Sequence, residues 1–494
     1  MRPLAGLLVL CVTELAAAEP TALATDRTAP STSPRVDGES FTPPLEAKPH
    51  PTHIDLSLSE APPPNEANGV VREEDPGGGG LIWIPRVLLF VPRALIWTVA
   101  QPIRGGVYVY EKYDLGTRFT DATFTDDRKF GIYPVAGYDS NFGASIGARI
   151  LYKDIFGEAE RIKLRADWGG QFKYGVGANV RTGDRFGPIS FGFDSSYERR
   201  PREKFYGIGD GPTVTTPSTL IDPSVDDTGV KSTFSEDVMR NTGDMKVQYT
   251  KEVRSRVSAA VMMRDIGPGI KDDITMNYDT SKLVGFDTGV KNVYVEHEFA
   301  IDTRRPTSEY ATRTLDATGW YASVHTGIAR GIQGDPTKYF RYGGELQRYF
   351  DLYDGTRVLA LRVLFDAVGG TDGRTDGRIA FTDLPRLGGS EYLRGYSSDR
   401  FRDRAVALGT VEYQWAVGNN FAAYTFVDVG RPFESLEDAK STDVFRMGFG
   451  GGVQVHTRGT FLTRLQVAAS REGDLLFNLI FSPAFGRRER AGKY

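Results

Sequence analysis

The stretch RIKLRADW, residues 161–168, sets Ile162, Leu164, Ala166 and Trp168 against Arg161, Lys163, Arg165 and Asp167. Side chains that change face at every residue belong to a strand, whose period is two. One face of such a strand needs an apolar medium, and the other needs water or charged partners. The same texture recurs in ISFGFDSSYE, 189–198, where Ile189, Phe191, Phe193 and Tyr197 alternate with Ser190, Gly192, Asp194, Ser196 and Glu198. In NVYVEHEFAID, 292–302, only His297 breaks the apolar row.

A soluble sandwich also alternates, so alternation alone does not choose the medium. Strands of about ten residues, short turns alternating with long loops, and aromatic residues near strand ends favour a membrane barrel. Sixteen such segments can be placed, the first at about 130–140 and the last at about 474–485. An even number returns both ends of an antiparallel barrel to one side. Hydrocarbon offers a backbone no hydrogen-bond partner, so a spanning sheet has to close on itself. The expected fold class is all-β: a 16-stranded antiparallel transmembrane outer-membrane β-barrel, with a disordered N-terminal tail and a short apolar helical segment.

The flanks divide as follows. Residues 1–18 combine Arg2, an apolar run and Ala16–Ala18, the layout of a secretory signal peptide. Residues 19–80 hold 11 of the 27 prolines and end in DPGGGG, a composition that cannot bury enough apolar surface to order itself. Residues 81–112 begin with LIWIPRVLLFVPRALIWTVAQPIR, long enough for a membrane helix but interrupted by Pro85-Arg86 and Pro92-Arg93. A kinked amphipathic segment at the membrane surface or against the barrel is preferred to an inner-membrane helix. The barrel is placed at 130–485, with 486–494 a C-terminal extension.

The single cysteine, Cys11, falls within the signal segment, so an exported chain has no disulfide, thiolate metal site or cysteine nucleophile. Lys and Arg total 60 against 64 Asp and Glu, a net charge of −4 that does not point to nucleic acid. The five histidines show no metal-ligand spacing, and there is no nucleophile elbow, phosphate loop or paired-histidine motif. Catalysis, a cofactor and a metal are therefore not expected.

The chemistry that remains lies in LGGSEYLRGYSSDR, 387–400, the long connection after the eleventh strand. In GTVEYQWAV, Val411, Tyr413 and Trp415 face outward, leaving Thr410, Glu412 and Gln414 inward; in AAYTFVDVGRPF, Asp428 follows an apolar run. A loop folded into the barrel would bring the Arg394 guanidinium to the Glu412 and Asp428 carboxylates, a strong pairing where water is scarce. Chemistry alone leaves a second reading open, three separate charges in a wet pore.

LGG, then LRGY, VEYQW and FVDVGRPF, in this order, resemble the C-terminal half of the bacterial surface antigen barrel of the BamA/TamA family. KFYGIGDG at 204–211, FAIDTRRP at 299–306 and the end of the chain to Phe485 are similar to further pieces of it. The resemblance implies that Arg394 anchors the loop, Gly395 supplies the tight backbone position, Tyr396 is the aromatic of the tip, and Glu412 and Asp428 accept. Full members carry periplasmic POTRA repeats, which this sequence does not show, so the similarity is to the branch lacking them. The extension after Phe485 is a second departure.

Pro134 in the first strand and Pro483 in the last remove ladder donors at the seam where the terminal strands meet. With Phe485 they mark the seam that the resemblance makes a lateral gate, unless both prolines lie outside the hydrogen-bonded core. The implied partners are outer-membrane lipid, client outer-membrane proteins or lipids, and a periplasmic partner for residues 19–104. The implied function is outer-membrane protein insertion or assembly, or lipid or protein transfer, in a Gram-negative outer membrane. A passive pore or receptor and a structural docking protein are the alternatives.

Overall fold

The computed structural model describes residues 112–113, 115–139, 142–212, 219–224, 229–306, 316–353, 355–370, 379–418, 421–435, 445–456 and 461–480. Residues 1–111 lie outside them, and with them the expected signal peptide, linker and nearly all of the 81–112 segment. So do Pro483, Phe485 and the 486–494 extension.

After a short helix, α1 (Leu115–Thr123), the first strands are β1 (Phe130–Asp139), β2 (Gly143–Lys153), β3 (Arg161–Gly169), β4 (Phe172–Arg181) and β5 (Ile189–Phe205). β6 (Ser232–Gln248), β7 (Val253–Pro268), β8 (Val290–Asp302), β9 (Gly319–Gly331), β10 (Lys338–Tyr353) and β11 (Arg357–Gly370) follow. Two short strands, β12 (Arg386–Leu387) and β13 (Phe401–Arg402), pair inside the long loop. β14 (Ala405–Gly418), β15 (Phe421–Phe433), β16 (Arg446–His456), β17 (Phe461–Ser470) and β18 (Leu475–Ile480) complete the series.

All except β12 and β13 form one 16-stranded sheet in which each strand pairs antiparallel with its neighbours in sequence. The sheet curls until β1 and β18 come within 8 Å, Cα to Cα, but among the described residues no ladder joins them. The expected closure is thus an approach of two edges. Pro134 lies within β1 rather than at its end, in register with Ala148 of β2.

The alternation sorts the two faces. Leu164 and Trp168 are 41% and 64% exposed, while the Arg165 and Asp167 of the same strand turn into a charge chain on the inner wall. That chain runs Arg149–Asp167–Arg165–Glu198–Arg200–Glu236–Arg264, from β2 across β3, β5 and β6 to β7. Buried charges persist when paired, and here each guanidinium has a carboxylate.

The long connections 206–231, 269–289 and 371–404 share one end of the sheet. The second contains a one-turn helix, α2 (Ile274–Asn277), capped by Asp273 accepting from the Thr275 N–H. With Phe205 of β5 and Phe234 of β6 they build an apolar cluster that includes Ile221, Ile274, Tyr278 and Phe381. At the start of the chain, Phe119 of α1 and Phe124 pack on Tyr133, Val135 and Leu151 of β1 and β2. The sequence alone places no element there, because one nine-residue helix carries too few turns for a clear period.

Candidate functional site: a loop fastened inside the sheet

The β14–β15 register sets Asp428 opposite Thr410, with Glu412 two residues further along the same inner face. Diagonal neighbours on one face lie about 7–8 Å apart, a gap that one guanidinium spans. Arg394 does so. Its Nε and Nη2 donate to Asp428 Oδ2 and Oδ1, each at 2.8 Å, and its Nη1 donates to Glu412 Oε2 at 2.6 Å. The Arg394 backbone N–H also donates to Asp428 Oδ2 at 2.8 Å. The three residues are 3%, 0% and 0% exposed in that sequence order.

Other side chains complete the network. The Thr410 hydroxyl donates to Asp428 at 2.9 Å, while Gln414 and Arg464 donate to Glu412 Oε1, each at 2.8 Å. Arg394 stacks 3.5 Å from the Phe426 ring centroid, and Arg464 stacks 3.8 Å from that of Tyr424. Burial pulls the Arg394 pKa down, but the Asp428 and Glu412 carboxylates more than offset it and hold it above its ordinary value. The charge is therefore fixed at every accessible pH.

Gly395 has φ +98°, and a Cβ there would overlap the Ala469 carbonyl of β17. Tyr396 is buried against Phe401 and donates to the Met447 carbonyl at 3.3 Å. Sequence reasoning missed Gly448, where a Cβ would overlap the Arg394 carbonyl. Nothing local distinguishes it from the glycines that follow at 450–452.

The loop has a second fastening that no motif announced. Asp383 Oδ1 accepts from Arg264 Nη1 of β7 at 3.0 Å, and Oδ2 accepts from Asn292 of β8 at 3.2 Å. This joins the inner-wall charge chain to the loop. Between the two fastenings, Arg341 of β10 donates to the Asp383 carbonyl at 3.5 Å, and Arg362 of β11 to that of Glu391 at 3.4 Å. Gln466 of β17 donates to the Ser390 carbonyl at 3.4 Å. The loop thus crosses the inner face from β7 to β17.

The KFYGIGDG stretch meets it from the opposite side. The Gly209 N–H donates to the Arg402 carbonyl at 2.8 Å, Arg400 donates to the Gly211 carbonyl at 2.7 Å, and Asp210 pairs with Arg431 at 3.3 Å. In FAIDTRRP, Arg304 pairs with Asp302 at 2.8 Å and stacks 4.8 Å from the Tyr321 centroid. Arg402 is buried between Phe205 and Phe381, and burial, then Arg386, pushes its pKa down to about 9. Asp403 beside it is pushed up to about 7, chiefly by burial. Among the described residues no group of three or more His, Cys, Asp or Glu is placed to hold a metal ion.

The profile of the Omp85 superfamily domain matches residues 154–475. Among solved structures, the chain is similar to BamA from Haemophilus ducreyi lacking POTRA domains 1–3, at 12% identity and a TM-score of 0.52, covering 71% of this chain and 69% of that one. It is also similar to CdiB from Acinetobacter baumannii, at 10% identity and a TM-score of 0.41, covering 70% of this chain and 58% of that one. CdiB from Escherichia coli matches at 10% identity and a TM-score of 0.42, covering 71% and 60%. No curated protein sequence matches.

Proposed function

The chain belongs to the Omp85 superfamily, and from that premise we propose that it inserts or transfers proteins or lipids at the outer membrane of a Gram-negative bacterium. The observation that carries this reading is the fastened loop. Ties from Asp383 to β7 and β8, and from Arg394 to β14 and β15, occupy the inner face that an open pore would leave to water. The apolar cluster at the long-loop end supports the same reading. With that path filled, cargo would leave sideways, where β1 and β18 approach without a ladder among the described residues.

The mechanism is non-covalent. Edge strands expose unpaired N–H and C=O groups that template another strand. Pro134 lowers the number of ladder donors on β1, and Pro483 and Phe485 would act at the other edge. Arg394, Gly395, Tyr396, Glu412 and Asp428 would hold the loop while the edges work. The partners are outer-membrane lipid and client proteins or lipids, with residues 19–104 meeting a periplasmic partner. Depletion of the protein, followed by comparison of outer-membrane protein and lipid composition, tests this. Loss of particular proteins or lipids is expected; unchanged composition of both would return the chain to the passive-pore or docking readings.

A further inference from the structure

The outward row of β10 reads Leu346, Arg348, Phe350 and Leu352, with Leu346 and Leu352 47% and 54% exposed. One cation thus stands in an apolar row that faces lipid. Its Cζ lies 4.8 Å from the Trp320 ring centroid and 4.8 Å from that of Phe350. Among the described residues its charge meets these two rings and no carboxylate. The contrast is with Arg199, another outward arginine, which has Asp237 at 3.5 Å. A bare cation on the lipid face is costly unless an anion reaches it.

The surroundings fit one class of anion. Arg348 is in register with Trp320 near the start of β9, and Trp marks the level of lipid headgroups. The β10–β11 turn is a short one, at the end of the sheet opposite the long loops, and Arg357 at its foot stacks 5.5 Å from Tyr353. Above Arg348 the outer face is apolar, with Val324 and Val363 each 60% exposed. With two rings and no carboxylate against it among the described residues, the guanidinium keeps its forked donors for a phosphate.

We propose that Arg348, framed by Trp320 and Phe350, is a binding site for the headgroup phosphate of an anionic glycerophospholipid whose acyl chains lie along Val324, Leu346 and Val363. The site needs only the membrane-spanning sheet and is independent of the insertion reading. Native mass spectrometry of the full chain in detergent, titrated with phosphatidylglycerol, tests it. Arg348→Gln is expected to lower the bound fraction about fivefold, the size of one basic contact to an anionic lipid surface. Arg348→Lys retains most of the binding, and Trp320→Leu loses part of it. Lys338→Gln, at the other end of the same strand, behaves as the unaltered chain, and inorganic phosphate does not compete. Equal lipid binding by Arg348→Gln, an equal loss in Lys338→Gln, or displacement by inorganic phosphate overturns the proposal. Should Arg348→Gln fail to fold, the comparison of Trp320→Leu with Lys338→Gln decides it, because equal lipid binding by those two overturns it as well.

Discussion

Replacing Arg394 by alanine removes three charged hydrogen bonds at once, two to Asp428 and one to Glu412. The two acids are not left alike. Among the described residues Glu412 keeps Arg464 and Gln414, whereas Asp428 keeps the Thr410 hydroxyl and the residue 394 backbone N–H. Stripping the cation from a buried ion pair costs roughly 3–5 kcal/mol. The ratio of seated to released loop should therefore fall by roughly a hundredfold to a few thousandfold. Heat-modifiable gel mobility reads the folded barrel, and single-channel conductance in a planar bilayer reads the loop. Arg394→Ala is expected to convert to the unfolded band at lower temperature and to conduct in large, long openings. Adding Asp428→Asn should recover part of the loss, since a neutral amide no longer needs a cation. Unaltered unfolding temperature and unaltered conductance in Arg394→Ala would mean that these ion pairs do not hold the loop.

Three further outcomes follow from the same geometry. Gly448→Ala places a methyl group against the Arg394 carbonyl and should destabilise the folded form by roughly 1–3 kcal/mol, as overpacking does, read as a lower gel-shift temperature. Asp383→Asn leaves Arg264 with Glu236 as its one carboxylate among the described residues, beside the Thr382 hydroxyl, and should open the 371–404 connection to trypsin while the Arg394 end stays seated; unchanged cleavage would count against a second fastening. Asp403 is held up to about 7 in the fold, above its unfolded value, so the folded chain binds the extra proton between about pH 4 and pH 7. Stability contributed there is present at low pH and is lost as pH rises through 7, and Asp403→Asn should flatten that slope in melts at pH 5 and pH 8.

The strand faces were legible because period two survives in a single sequence: Leu164 and Trp168 against Arg165 and Asp167 need no partner to be read. Arg394, Glu412 and Asp428 could be named together because two lie on strands whose inward parity is readable and the third sits in a distinctive loop. Asp383 with Arg264 could not, since 119 residues separate them and their meeting depends on the path of a loop without a period. Arg464 was readable as an inward residue of β17, yet its bond to Glu412 depends on how β14, β15, β16 and β17 stack in register. That no ladder joins β1 and β18 among the described residues was equally out of reach, because alternation specifies faces and not which edges pair.

If cargo leaves where β1 and β18 approach, joining the two edges through introduced cysteine pairs should block it. The only native cysteine, Cys11, lies in the expected signal segment, so introduced pairs report without interference. Cells relying on a pair that cross-links across the edges should show the depleted outer-membrane composition when the bond is oxidised and recover when it is reduced. Full outer-membrane composition with the two edges covalently joined would mean that cargo does not leave between β1 and β18.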